Sequence, residues 1–314
     1  NWKFKVINLK TYPISLTICP GNLCNLSCKL CPVGLKQKGR KKGFMKFENF
    51  RKIIDELGEY LYEIHLYNWG EPLLNKEIFK MISYAKKYNI KVTISTNLTI
   101  FNEKFAKNLI DSGLDVLIVS LDGASNENVS RYQKGNDFEQ VFENMRKMIE
   151  IRKQMKEKKP YVEWRFMVNK YNESEIEKAK KMAKKIKINK ISFETMLPSM
   201  GNYVLKNEQE HFKEMLNWMP KNNKYSMFDE NGKNKEYVSG CKWLWLMSTI
   251  NWNGNVSPCC SIWFEKFDFG NCLEKGFMNV WNNENYQNAR KIILGQKINK
   301  FNICEICKRN KAQI

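Results

Sequence analysis

The chain has 314 residues, 43% hydrophobic and 13% aromatic, enough for one large domain and a small one with a real core. That composition excludes a disordered tail. No apolar run reaches the ~18–20 residues of a spanning helix and the first residues carry no secretory h-region, so the expectation is a cytoplasmic protein with no membrane partner. A formal charge of +20 suits nucleic acid, an anionic substrate or an acidic protein partner.

In chain order, β-rich runs at 14–19, 63–67, 90–95, 116–120, 161–168 and 190–194 alternate with helical segments at 47–61, 76–88, 103–112, 137–156 and 174–185. Helix starts are marked by cap residues, such as Asp137 with Gln140 beyond it and Ser174 with Glu177 three residues on. Strict alternation implies a parallel sheet with right-handed crossovers. Six units fall short of a full (β/α)8 barrel, which takes about 250 residues. The expected fold is therefore α/β, a partial (β/α)6 TIM-like barrel over residues 1–196. Residues 197–240, with Pro198, Gly201, Pro220 and Gly232, read as a linker or lid. Residues 241–314 read as a small cysteine-bearing domain, with a hairpin turning at Asn253-Gly254 and a helix near 276–294.

The ten cysteines form two groups: Cys19, Cys24, Cys28 and Cys31, then Cys241, Cys259, Cys260, Cys272, Cys304 and Cys307. With no export signal this clustering reads as metal ligation in a reducing compartment. Histidine occurs only at His65 and His211, so the metal chemistry rests on sulfur. Cys24-x3-Cys28-x2-Cys31 places three thiolates in one loop, where they can hold three irons of a [4Fe–4S] cluster and leave the fourth open. A three-cysteine zinc site with an external ligand is the bland alternative. Cys19, at the expected end of the first strand, reads as core.

From this loop onward the sequence resembles the radical S-adenosylmethionine (SAM) superfamily. Asn68-Trp69-Gly70-Glu71-Pro72 resembles the family's GGEP motif, with Trp69 in place of the first glycine. Ser95-Thr96-Asn97 resembles its "TNG" motif, with Leu98 in place of the glycine, and Ser120-Leu121-Asp122-Gly123 its "SIDG" element. The resemblance implies that Cys24, Cys28 and Cys31 hold the SAM cluster. It also implies that Gly70, Glu71, Pro72, Thr96, Asn97, Ser120 and Asp122 contact SAM. A reduced cluster, fed by flavodoxin or ferredoxin, then cleaves SAM to a 5′-deoxyadenosyl radical that abstracts a substrate hydrogen.

The second group spaces as Cys241-x17-Cys259-x44-Cys304-x2-Cys307, four ligands for one tetrahedral zinc or one fully ligated cluster. Cys241-x12-Gly254-x4-Cys259, with the stretches at 269–273 and 280–282, resembles the SPASM/twitch auxiliary-cluster domains of this superfamily. The resemblance implies a single auxiliary cluster and favours Cys259 over Cys260, with Cys272 a buried small residue. The spacing is similar to that of aminocyclitol dehydrogenases, in which the auxiliary cluster accepts an electron as an alcohol becomes a ketone. On this view the cofactors are two [4Fe–4S] clusters and SAM. The substrate is a small polyol, sugar or aminocyclitol, anionic if the basic run Lys36, Lys38, Arg40, Lys41 and Lys42 meets it; that run also suits an acidic flavodoxin. The base is unassigned, with Arg165 and Glu194 the candidates. Two rivals stand beside this reading: a radical SAM maturase acting on a peptide or protein, and a basic zinc-ribbon protein binding nucleic acid.

Overall fold

The computed structural model describes residues 6–196, 216–226 and 241–307. Six parallel strands appear in chain order: β1 (Ser15–Ile18), β2 (Glu63–His65), β3 (Lys91–Thr96), β4 (Val116–Ser120), β5 (Tyr161–Val168) and β6 (Lys190–Thr195). Between them run α1 (Phe47–Leu57), α2 (Ile78–Lys86), α3 (Glu103–Asp111), α4 (Asn126–Tyr132), α5 (Phe138–Gln154) and α6 (Ile176–Lys185). This is the partial α/β barrel the alternation called for.

The strands alternate apolar and polar residues, so the sheet has two chemically different faces. Ile64, Val92, Ile94, Leu117, Val119, Val162, Trp164 and Phe166 are buried in the core that the helices cover. The other set, His65, Lys91, Thr93, Ile118, Glu163, Arg165 and Glu194, lines the lumen. Parallel sheets are usually apolar on both faces. Here the inner face is polar and lines an open cavity of about 1050 Å³.

Several element ends differ from the sequence reading. The helix at 47–61 stops at Leu57 and closes with a 3-10 turn, Gly58–Tyr60. α4 has no counterpart in that reading, because seven residues with only Val129 and Tyr132 buried give no periodic signal. Asp137 caps α5 as expected, accepting from the Gln140 amide. Ser174 caps nothing: α6 is entered through a 3-10 turn, Glu173–Glu175. The helix near 276–294 is split into Phe277–Trp281 and Glu284–Ile293, because Asn283 starts a new helix by accepting from the Tyr286 amide.

The cysteine-bearing C-terminal unit continues the barrel's sheet. β7 (Met247–Ile250) pairs parallel to β1, and β8 (Asn255–Ser257) and β9 (Gly270–Asn271) follow antiparallel, giving the order β6-β5-β4-β3-β2-β1-β7-β8-β9. The hairpin turns at Gly254, whose φ of +85° only glycine adopts readily. A second tie is buried. Arg40 donates two hydrogen bonds of 2.8 Å to the Asp268 carboxylate and one to the Trp263 carbonyl. Arg40 is thus committed to the interior and is not part of an exposed basic surface, correcting its place in the run expected to meet a substrate or an acidic protein. Most of 197–240, read as a linker or lid, lies outside the described residues.

Candidate active site

The loops after β1 to β4 meet over the C-terminal strand ends, where ligand sites of such sheets form. They enclose a cavity of about 250 Å³ lined by Cys24, Cys28, Cys31, Gly70, Glu71, Thr96, Asn97, Ser120 and Asp122, and also by Tyr67, Tyr132 and Arg165. Every residue expected to contact SAM therefore lines one cavity with the first three cysteines, except Pro72. Pro72 is buried and opens the 3-10 turn Pro72–Leu74.

Local chemistry explains how these loops are held. Glu71 is buried and its carboxylate is fully used: Oε1 accepts from the Leu73 amide and Thr96 hydroxyl, and Oε2 from the Asn97 amide. Burial pushes its pKa up to about 7, against these donors, so Glu71 organises the β3 loop. Gly70 sits at φ +80°, and a Cβ there would lie 2.6 Å from the Leu23 carbonyl oxygen. Leu98, where the family carries glycine, keeps the left-handed backbone at φ 52°. The Gln133 side chain accepts from the Asp122 amide and donates to the Ser120 carbonyl, fixing the β4 loop. Asp122 Oδ1 accepts from the Met167 amide, while Oδ2 is buried without a partner among the described residues. Burial raises this carboxyl to about 7.

The three thiols fit an iron–sulfur cluster. Desolvation pushes Cys24 up to about 11 and also raises Cys28 and Cys31. Buried thiols of this kind ionise when a metal supplies the opposing charge. The Leu26 amide and the Asn97 side-chain amide both donate to Cys24 Sγ, at 3.4 and 3.9 Å, the hydrogen bonding that suits cluster sulfur. Trp218 and Met219 pack with Tyr132 and Met196 beside Cys28, Leu30 and Met167, keeping water from that wall.

The second group also converges. Cys304 is half-buried, with Cys259, Cys241 and Cys307 as its electrostatic neighbours; desolvation first, then these thiols, raise its pKa. Cys260 is an electrostatic neighbour of Cys259. Cys272 is buried and donates to the Gly254 carbonyl, and Cys19 is buried against the Gly21 and Trp69 carbonyls.

Trp69 has a structural use. Its ring meets that of Trp263 edge-on at 5.5 Å. Asn68, accepting from the Trp69 indole and donating to the Cys260 carbonyl at 3.1 Å each, joins the β2 loop to the C-terminal unit. The larger residue in the glycine position thus packs the two cysteine regions together. Sequence reasoning missed Tyr67, Tyr132 and Gln133; only the polar alternation of 63–67 carried a signal for Tyr67.

Comparison with known proteins agrees with this geometry. The model of the radical SAM superfamily matches residues 18–182, over half of the chain. The chain belongs to the radical SAM superfamily. An iron–sulfur cluster-binding domain of the SPASM type matches residues 241–309, so this radical SAM enzyme works with SAM and two [4Fe–4S] clusters. A tungsten-containing aldehyde ferredoxin oxidoreductase cofactor-modifying protein of Pyrococcus furiosus is 24% identical over 300 residues, 84% of this chain and 79% of that protein. The Fe-coproporphyrin III synthase of Methanosarcina barkeri is 31% identical over 105 residues, 33% of this chain. The chain spans only 26% of that synthase's length. Among solved structures, SuiB of Streptococcus suis bound to precursor peptide SuiA is similar at TM-score 0.68 and 17% identity, over 91% of this chain and 68% of that one. BtrN in complex with AdoMet and 2-DOIA is similar at TM-score 0.55 and 17% identity, over 91% and 88%. These likenesses establish the fold. Among the described residues no helix is long and apolar enough to cross a membrane.

Proposed function

We propose that this radical SAM enzyme oxidises a small polyol, sugar or aminocyclitol at a carbinol carbon, with its auxiliary cluster taking an electron. The observation that carries the reading is the convergence of Cys241, Cys259, Cys304 and Cys307. A cluster with four protein ligands passes electrons without needing substrate in its coordination sphere. Cys24, Cys28 and Cys31 are assigned to the SAM cluster, leaving one iron for SAM. Gly70, Glu71, Pro72, Thr96, Asn97, Ser120 and Asp122 hold SAM or shape its loops. When bound, SAM and its cluster supply a radical that abstracts a hydrogen atom. The protein's part is to exclude water and fix the substrate beside it. Flavodoxin or ferredoxin supplies the reducing electron. In this reading residues 1–196 carry the radical chemistry and 241–314 the auxiliary cluster.

The lumen favours a small polar substrate without a phosphate. Its lysines are already paired: Lys86 and Lys159 with Asp115, Lys91 with Glu63, and Lys190 with Glu163. Modification of a peptide is the second reading, favoured by the likeness to peptide-bound SuiB over 91% of the chain. Incubation of the reconstituted enzyme with SAM, a reductant and a panel of inositols, aminoinositols and hexoses tests the choice. Loss of two hydrogens from a panel member, matched by deoxyadenosine, is expected. Deoxyadenosine released only with a peptide substrate would replace the small-molecule reading.

A further inference from the structure

Oxidising a carbinol carbon to a carbonyl removes a C–H hydrogen atom, one electron and the O–H proton. On the reading above, the first two leave to the SAM-derived radical and to the auxiliary cluster. The proton needs an acceptor in the protein.

Most titratable groups of the lumen are committed elsewhere. Arg165 lies with Nε 3.3 Å from Glu194 Oε1 and its guanidinium over the Tyr67 ring. It is half-buried, and desolvation alone would lower its pKa, but Tyr67 and Glu194 outweigh that and hold it protonated. Glu163 accepts from Lys190 and Ser192, and Asp115 from Lys86, Lys159 and the Val92 amide.

His65 differs from all of these. It stands on β2, largely buried, and lines the lumen cavity with Tyr67 and Arg165. Those two residues also line the cavity of Cys24, Cys28 and Cys31, so the two cavities adjoin there. The His65 and Tyr67 rings meet edge-on at 5.8 Å, placing the imidazole beneath that junction. Nε2 lies 3.4 Å from Glu63 Oε1, and Nδ1 has no partner among the described residues. A carboxylate beside Nε2 selects the Nε2–H tautomer and leaves the Nδ1 lone pair free to accept a proton. The charges facing the ring are Glu63 on its own strand, Lys91 on β3 and Arg165 on β5. Desolvation is the largest influence and, with Lys91 and Arg165, outweighs Glu63 to hold the imidazole neutral below its ordinary pKa.

We propose that His65, oriented by Glu63, accepts the substrate's hydroxyl proton as the carbinol carbon is oxidised. This rests on the oxidation reading. The bond broken is O–H, the bond formed is N–H on Nδ1, and the electron pair left on oxygen joins the unpaired electron on carbon in the new C=O as one electron leaves to the auxiliary [4Fe–4S] cluster.

The test begins without substrate. Histidine C2–H exchange in D2O, followed by mass spectrometry on the holoenzyme, reads each imidazole separately, since His65 and His211 are the only two. His65 is expected to titrate below the ordinary value of about 6.5, and Glu63→Gln to move it lower still. A midpoint at or above the ordinary value, or one that Glu63→Gln leaves in place, overturns the assignment. With a turned-over inositol or aminoinositol, His65→Gln is expected to raise the ratio of deoxyadenosine to oxidised product at least about tenfold and to remove the acid limb of the pH profile. A wild-type profile retained by His65→Gln, at wild-type iron content, overturns His65 alone. Wild-type enzyme that makes deoxyadenosine but no two-electron oxidised product from any substrate overturns the oxidation reading, and the proton acceptor with it.

Discussion

The two cysteine regions solve one problem, holding reactive iron, in opposite ways. Cys24, Cys28 and Cys31 lie within eight residues on a single loop and line an open cavity with Glu71, Asn97 and Asp122. Cys241, Cys259, Cys304 and Cys307 come from three separate segments and are brought together by β7, β8 and the 3-10 turn Ile303–Ile306. The first arrangement leaves room for a ligand that is not protein. The second gathers its cysteines from distant parts of the chain. The parallel β1–β7 pairing builds both regions on one sheet, and the proposed oxidation uses the asymmetry, with SAM at the first region and an electron acceptor at the second.

Breaking one site at a time gives the largest expected effect. Cys28→Ala is expected to abolish deoxyadenosine formation, measured by chromatography of the reaction mixture. Cys304→Ala is expected to retain part of it while losing oxidised product. Equal and complete loss in both would remove the division of labour.

The coupling between the regions comes next. The Arg40–Asp268 pair is buried, with side-chain exposures of 1% and 4%. Arg40→Ala leaves a desolvated carboxylate unpaired, at an expected cost of about 3–5 kcal/mol in chemical denaturation. The same substitution at Lys38, in the same run, is expected to change little.

Trp69→Gly, which restores the family's residue, removes the edge-on contact with Trp263 and is expected to cost about 1 kcal/mol. SAM affinity by titration calorimetry would show whether the pocket also changes shape. Unchanged stability would mean that Trp69 does not join the two regions.

The smallest effect concerns pH at the barrel floor. Burial raises the Asp115 carboxyl, but Lys159, Lys86 and the Val92 amide outweigh it and the net pKa falls below the ordinary carboxylate value. Its stabilisation is therefore present above the unfolded pKa of about 4 and is lost as pH falls through the lower folded value. Urea midpoints of wild type and Asp115→Asn should converge as the pH is lowered through that window. The cysteine sites should show no part in that convergence when the same comparison is made on apoprotein.

Much of this was legible because its signals are local. Three cysteines in one loop and three further motifs, each following a strand, placed the cysteine-lined cavity, since parallel strands deliver their ends to one side. The alternation of 161–168 and 190–194 carried Arg165 and Glu194 to the lumen. What stayed hidden depends on distant pairing. No local pattern announces that β7 joins β1, or that Arg40 reaches Asp268 across 228 positions. His65 was visible as one of two histidines, but its proposed role depends on Glu63 and Tyr67 sharing its face and on Nδ1 having no partner among the described residues, which only the packed lumen reveals.

The most direct test is iron, sulfide and zinc per chain after anaerobic reconstitution, for wild type and the Cys24/Cys28/Cys31→Ala triple variant. About eight irons falling to about four is the expected result, one cluster at each cysteine region. About four irons falling to none, with one zinc retained, would contradict the account, leaving the C-terminal site structural and the proposed oxidation without its electron acceptor.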